Sequence, residues 1–168
     1  FFVISGYLIS LNLRNEFQET GSLKLGTFAL KRAKRILPLV CIVLLVSSFV
    51  AWFLLLPGEL LEFSKSLLSI LSFTQNLYFY FDGLGYHAQQ NAPPILLHFW
   101  SLAIEEQFYF IFPILLIILL RFSHKYISTV LLILLIISLI ISDTIANSHS
   151  HKDLNFYFTI SRLWEFLV

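Results

Sequence analysis

Long apolar runs alternate with short polar segments along this chain. Ile36–Leu56, ILPLVCIVLLVSSFVAWFLLL, carries no charge over its whole length. A hydrocarbon core of about 30 Å takes about 20 apolar residues in a helix, so this run predicts a transmembrane helix. Pro38 falls in its expected first turn, where a missing N–H costs least. His98–Leu120 predicts a second span, and Tyr126–Ile141, extendable to Ala146, a third. Phe1–Leu13 reads as the second half of a span and Thr159–Val168 as the first turns of another. The expected fold is all-α: a polytopic transmembrane helix bundle with three full spans and two partial ones. On this reading residues 1–168 are part of a single transmembrane domain, truncated at both ends. Phe63–Phe81 is moderately apolar but holds Lys65, Gln75, Asn76 and several serines. It is expected as an interfacial or re-entrant helix pair rather than a span.

Charge orients these elements. Residues 14–35 carry Arg14, Lys24, Lys31, Arg32, Lys34 and Arg35 against Glu16 and Glu19. The turn 121–125 holds Arg121 and Lys125 and no acid. By contrast, 57–97 holds Glu59, Glu62 and Asp82 against Lys65, and 142–158 holds Asp143 and Asp153 against Lys152. Lysine and arginine favour the cytoplasmic side. Segments 14–35 and 121–125 are therefore expected in the cytoplasm, with 57–97 and 142–158 in the periplasm or outside the cell. A full span at Phe63–Phe81 would invert the 121–125 turn against this rule. Asp82–Pro94, DGLGYHAQQNAPP, reads as an outer loop from its glycines and prolines.

Composition agrees with a bilayer protein. The chain is 58% hydrophobic and 12% charged, with a mean hydropathy of +0.82. Soluble domains are about 45–50% apolar and about 25% charged. The lone Cys41 cannot form an internal disulfide. Membrane lipid is an expected partner and nucleic acid is not.

Against this background four polar groups stand out. The first is the pair Glu105 and Glu106, inside an apolar helix. A charge in a span costs at least about 2.5–3.5 kcal/mol, so such residues face a cavity or a partner. At helical spacing His98, Ser101, Glu105 and Tyr109 form one stripe, while Glu106 points about 100° away, beside Leu102 and Gln107. The stripe points to a polar reaction cavity or proton path; the plainer reading is a pair of structural acids bonded to neighbouring helices. The second is KRAKR, Lys31–Arg35. It serves as a topology anchor or, through Arg32 and Arg35 on one helix face, as a clamp for a phosphorylated cytosolic cofactor. The third is RLWE, in which Arg162 and Glu165 can pair within their own helix or with Glu105 or Glu106. The fourth is SGY, Ser5–Tyr7, a small pair that permits close helix packing. His149 and His151 in a polar segment do not make a metal site, and no metal is assigned.

Taken in order, FFVISGYLI, KRAKRILP, LLHFWSLAIEEQFYFIFPILL and SRLWEFLV resemble the signature segments of the acyltransferase 3 family over nearly the whole chain. These are bacterial membrane O-acyltransferases that modify cell-surface glycans. The resemblance implies transfer of an acyl group, commonly acetyl, from cytoplasmic acyl-CoA to a hydroxyl of an outward-facing saccharide such as O-antigen, lipopolysaccharide, exopolysaccharide or peptidoglycan. It implies a multi-pass protein of the inner (plasma) membrane with no permanently bound cofactor and acetyl-CoA as donor substrate. The family's Arg-x-x-Arg motif falls on Arg32 and Arg35, expected to hold the CoA phosphates. Its Trp-Ser-Leu-x-x-Glu-Glu-Gln-Phe-Tyr motif falls on Trp100, Ser101, Leu102, Glu105, Glu106, Gln107, Phe108 and Tyr109. Glu105 and Glu106 are then supporting groups at the reaction centre, with Ser101 and Tyr109 in substrate-binding or structural roles. Its Arg-x-Trp-Glu motif falls on Arg162, Trp164 and Glu165, also substrate-binding or structural. The family's histidine is expected upstream of FFVISGYLI, and none of the chain's five histidines matches it. Two other classes fit the same residues less fully: a transporter or channel subunit with an intramembrane acidic site, and a structural or sensory membrane subunit.

Overall fold

The computed structural model describes residues 2–21, 23–82, 95–122, 126–147 and 152–168. Among them the regular structure is entirely helical: α1 Phe2–Thr20, α2 Leu25–Leu54, α3 Pro57–Leu71, α4 Gln75–Phe81, α5 Phe99–Phe122, α6 Ile127–Ala146, α7 Lys152–Tyr157 and α8 Thr159–Leu167. Three helices, α2, α5 and α6, are long and apolar enough to cross a membrane. They are the three spans expected from the sequence, and the chain is that of a membrane protein. The outer-loop reading of Asp82–Pro94 falls, beyond Asp82, outside the described residues, as do His149 and His151.

Two boundaries differ from expectation for one reason. Arginine, lysine, alanine, glutamate and glutamine are good helix formers, so polar flanks continue a helix that hydropathy alone would end. Helix α1 therefore runs through Arg14–Thr20. It stops at Gly21, whose φ of 68° suits a glycine after a helix end and whose N–H reaches the Phe17 carbonyl at 2.9 Å. Helix α2 begins at Leu25, so KRAKR lies within it and segment 14–35 is mostly helix rather than loop. Pro38 is accordingly a helix-interior proline more than three turns from the start, not a first-turn one. At 30 residues α2 is about 45 Å long, so its basic first turns extend beyond a 30 Å core. Phe63–Phe81 forms the expected helix pair, α3 and α4, although α3 starts earlier, at Pro57. The chain reverses through Phe73, at φ 53°, with the Thr74 N–H on the Ser69 carbonyl at 2.9 Å.

The helices form two compact units, with the boundary inside α5, after Ala103. In the unit Gly26–Ala103, Val40, Leu44 and Ala51 of α2 pack with Phe63, Ile70, Leu96 and Phe99. A fully buried amide, Gln75, ties this unit together. Its Nε2 donates to Ser66 Oγ at 2.9 Å and to the Leu96 carbonyl at 3.3 Å, and its Oε1 accepts from Ser69. Satisfying both ends of the amide is what makes its burial tolerable.

The other unit comprises Phe1–Leu25 and Ile104–Val168. Helix α1 turns Phe2, Ser5, Gly6, Ile9 and Leu13 inward, at helical spacing. Phe166 of α8 stacks on Phe108 of α5 at 4.1 Å between centroids and lies 4.8 Å from Phe2. Gly6 is where α1 and α8 come closest: a Cβ there would sit 2.0 Å from the Phe166 carbonyl oxygen. The small pair expected to permit close helix approach does so through its glycine.

This contact gives the first prediction. Gly6→Ala forces backbone apart from backbone and should cost about 2 kcal/mol or more, read as a lowered melting temperature of the detergent-solubilised protein. Gly26→Ala, with nothing within 4 Å of its Cβ position, should leave it unchanged or slightly raised. Equal melting temperatures for the two variants would contradict the crossing described here.

Candidate functional site

The second unit gathers its polar groups around Glu105. This carboxylate is only 6% exposed, on a stretch of α5 whose neighbours Ile104 and Phe108 are sealed from solvent. Two hydroxyls meet it. Ser5 Oγ, from α1, donates to Glu105 Oε1, and so does Tyr109 Oη, one turn along α5. Oε2 takes no hydrogen bond from the described residues. A carboxyl group out of water needs such partners, since a buried polar atom left without one is costly. The arrangement leaves one oxygen committed to structure and the other open to a further partner.

The neighbouring side chains diverge as helical geometry requires. Glu106 is half-buried on a different face, with its Oε1 shielded from solvent. Gln107 Oε1 accepts from Thr159 Oγ1, which docks the start of α8 against α5. The stripe expected from His98 to Tyr109 is only partly assembled. His98 is exposed, in the turn before α5, and stacks on Phe99 at 5.5 Å. Ser101 returns its hydroxyl to the His98 carbonyl at 3.1 Å. Of that stripe the structure brings together Glu105 and Tyr109.

Helix α8 carries the third group. Arg162 Nε pairs with Glu165 Oε1 at 3.0 Å, within the helix, each side chain 22% exposed. The Arg162 guanidinium also lies over two aromatic rings, 5.3 Å from Phe2 and 5.2 Å from Phe156. A guanidinium within this reach of two aromatic rings is attracted by both, which restrains its position. Trp164 is half-buried, and its backbone N–H is received by Ser138 Oγ of α6 at 3.0 Å.

Arg32 and Arg35 belong to the other unit, in the first turns of α2. Arg32 is half-buried and Arg35 exposed. Three apart on one helix, they share a face that Lys31 and Lys34 flank. A basic helix beginning of this kind suits a polyanionic ligand.

Sequence reasoning missed Ser5 and Thr159, and it missed Ser138. Ser5 was hidden because a serine beside a close-packing glycine in an apolar run looks like a packing device. The one signal available was the need itself: a buried glutamate requires donors, and the first helix segment offers Ser5, Tyr7 and Ser10 as hydroxyls without a local pattern to choose among them.

Comparison with known proteins follows this geometry. The family model for the acyltransferase domain, the acyltransferase 3 family, matches residues 1–168. A provisionally named O-acetyltransferase of Staphylococcus aureus strain COL is 39% identical over 125 residues, covering 74% of this chain and 20% of its own length. The O-acetyltransferase OatA of S. aureus strain NCTC 8325 is 35% identical over 144 residues, covering 83% of this chain and 23% of its own length. The chain thus spans about a fifth of the length of these relatives. No solved structure matches it.

The shared acceptor oxygen gives a test. Ser5→Ala and Tyr109→Phe should each cost about 1.5–3 kcal/mol, as expected for hydrogen bonds to a charged group. Because both act on Oε1, the double variant should depart from additivity by at least about 0.5 kcal/mol in thermal or denaturant unfolding. Strict additivity would mean that the two hydroxyls do not share Glu105.

Proposed function

Because the chain belongs to the acyltransferase 3 family, we propose that the protein is a membrane O-acyltransferase that moves an acyl group, acetyl in the simplest case, from cytoplasmic acyl-CoA to a hydroxyl of a cell-surface glycan such as O-antigen or lipopolysaccharide. The observation that carries this reading is the family match over all 168 residues. The O-acetyltransferase relatives favour acetyl. The charge distribution supports residues 14–35 and 121–125 on the cytoplasmic side of the plasma (inner) membrane, and 57–97 and 142–158 on the far side.

The reaction forms a C–O bond between the acceptor hydroxyl oxygen and the thioester carbonyl carbon, and breaks the C–S bond. A base takes the hydroxyl proton, which leaves with the CoA thiolate. Hydrogen-bond donors stabilise the oxyanion that forms between these events. In this scheme Arg32 and Arg35 hold CoA phosphates at the cytoplasmic mouth. Glu105, anchored through Oε1, presents Oε2 to the base or to the acceptor hydroxyl. Glu106 lines the same route from its own face, and Arg162, Trp164 and Glu165 shape the acceptor side.

The test uses the full-length protein in vesicles with labelled acetyl-CoA and a glycan acceptor. Protein-dependent transfer of label to the glycan is expected. Glu105→Gln should lower kcat on the order of 100-fold, the usual worth of a positioned proton-handling group. Arg32→Ala should instead raise KM for acetyl-CoA, with the greater part of kcat retained. Transfer that survives both Glu105→Gln and Glu106→Gln would remove the acids from the reaction. Unchanged donor KM in Arg32→Ala would remove the donor site. Solute or proton flux without any acyl transfer would favour a transporter instead.

A further inference from the structure

Helix α6 is the most apolar of the three spans after α2; many of its side chains are exposed, and Leu131, Leu134, Leu135, Ile141 and Ser142 form a half-buried face around Ser138. Within its best apolar window only 6% is buried, against 39% for α5. Its one fully buried residue is Ser138, at 2% exposed. A serine is an odd choice for the most buried position of so apolar a helix, and its hydrogen bonds explain it. Ser138 Oγ donates to the Ile160 carbonyl at 2.7 Å and accepts the Trp164 N–H at 3.0 Å. Ile160 and Trp164 are four apart in α8, so these are the two groups that pair with each other in an undisturbed α-helix. A hydroxyl from a neighbouring helix thus bridges one rung of the α8 ladder, the rung that encloses Arg162 and ends on Trp164. Hydroxyls placed against a helix ladder in this way are a recognised cause of local bending.

The same face of α6 continues one turn on. Ser142 Oγ donates to Asn155 Oδ1 of α7 at 3.0 Å. Ser161 then ties α8 to α7, donating to the Asn155 and Phe158 carbonyls at 2.9 and 2.8 Å. Ser142 therefore holds α7, and Ser138 alone of the two holds α8 directly.

What α8 touches gives the bridge its consequence. The backbone of Phe166, two residues beyond Trp164, rests against Gly6, and the residue beside Gly6 is Ser5, the donor to Glu105. Arg162, within the bridged turn, lies over the rings of Phe2 and Phe156. A change in the rise or direction of α8 at Ile160–Trp164 moves Phe166, and with it the part of α1 that carries Ser5.

We infer that Ser138 is a positioning residue for the proposed acyl transfer: through its bridge across Ile160 and Trp164 it sets α8, and through Phe166 and Gly6 it sets the Ser5 hydroxyl on Glu105. This rests on the function proposed above, and it assigns a role to a helix outside every segment that carries the family resemblance. Misplacement of a reacting group by about 1 Å from a distant change costs up to about 100-fold in rate.

The experiment compares Ser138→Ala, Ser138→Cys, Ser138→Thr and Ser142→Ala in the full-length protein, with two readouts. Hydrogen exchange at the Trp164 amide reports the bridge without any need for activity. It should speed up in Ser138→Ala and Ser138→Cys, and stay slow in Ser138→Thr and Ser142→Ala. Acetyl transfer should fall on the order of tenfold or more in kcat for Ser138→Ala and Ser138→Cys, with the acetyl-CoA KM unchanged, and should be largely kept in Ser138→Thr. Ser138→Cys keeps the volume with a much weaker hydrogen-bonding group, so it serves where Ser138→Ala does not fold. Unaltered Trp164 exchange in both variants would overturn the bridge. Faster exchange with an unchanged kcat would overturn the positioning role. Absence of transfer by the parent protein is a separate result, failing the proposed function while the exchange readout still judges the bridge.

Discussion

A carboxylate in the apolar interior of a helical bundle must be met by donors, and most of the second unit is arranged around that demand at Glu105. One donor, Tyr109, comes from the same helix at i+4 and needs only α5 to form. The other, Ser5, lies a hundred residues away in α1 and requires α1 to pack in one register. That register is possible because Gly6 lets the Phe166 carbonyl into the space a side chain would fill. Phe166 in turn is pinned by stacking on Phe108, three residues beyond Glu105 on α5. Acid, donor, glycine and aromatic anchor close a loop in which each member constrains the next.

Division of labour between the units follows charge. The Gly26–Ala103 unit carries the basic beginning of α2, and it buries its own polar residue, Gln75, with every partner satisfied. The other unit buries an acid, one of whose oxygens takes no hydrogen bond from the described residues. A fully satisfied polar network rigidifies a structure, whereas a carboxylate oxygen held in place but not saturated can still engage a substrate or a base. That contrast is the physical ground on which the proposal above assigns chemistry to Glu105 and not to Gln75, although both are buried polar groups on inward helix faces.

The spans were legible because the bilayer imposes a length and a polarity that composition alone reveals: Ile36–Leu56 marks the apolar part of α2, which begins 11 residues earlier at Leu25, while His98–Leu120 and Tyr126–Ile141, extendable to Ala146, fall within a few residues of α5 and α6. Their ends were less legible. Hydropathy ends a span where charge begins, while the backbone carries the helix on through Arg14–Thr20 and Lys31–Arg35, since hydrogen bonding along a helix is indifferent to whether its side chains sit in lipid or water. For that reason Pro38 moved from an expected first turn to a helix interior. Among the site residues, Glu105 with Tyr109 and Arg162 with Glu165 could be paired from spacing, because three- and four-residue separations on a helix are geometric neighbours.

What the sequence determined by itself is the class of protein: the number of long apolar spans, membrane character, the acid in the span, the basic start of α2 and the family. Each of these is local, set by residue type and by periods of a few residues. Tertiary structure alone decided which distant hydroxyl joins Tyr109 on the acid, and which one meets α8. Ser5 and Glu105 are 100 positions apart, and Ser138 and Trp164 are 26 apart on different helices. No local pattern encodes such pairs. They exist because an apolar bundle cannot leave a buried carboxylate or a bridged backbone rung without partners, and only the packed arrangement of helices determines which serine is near enough to serve.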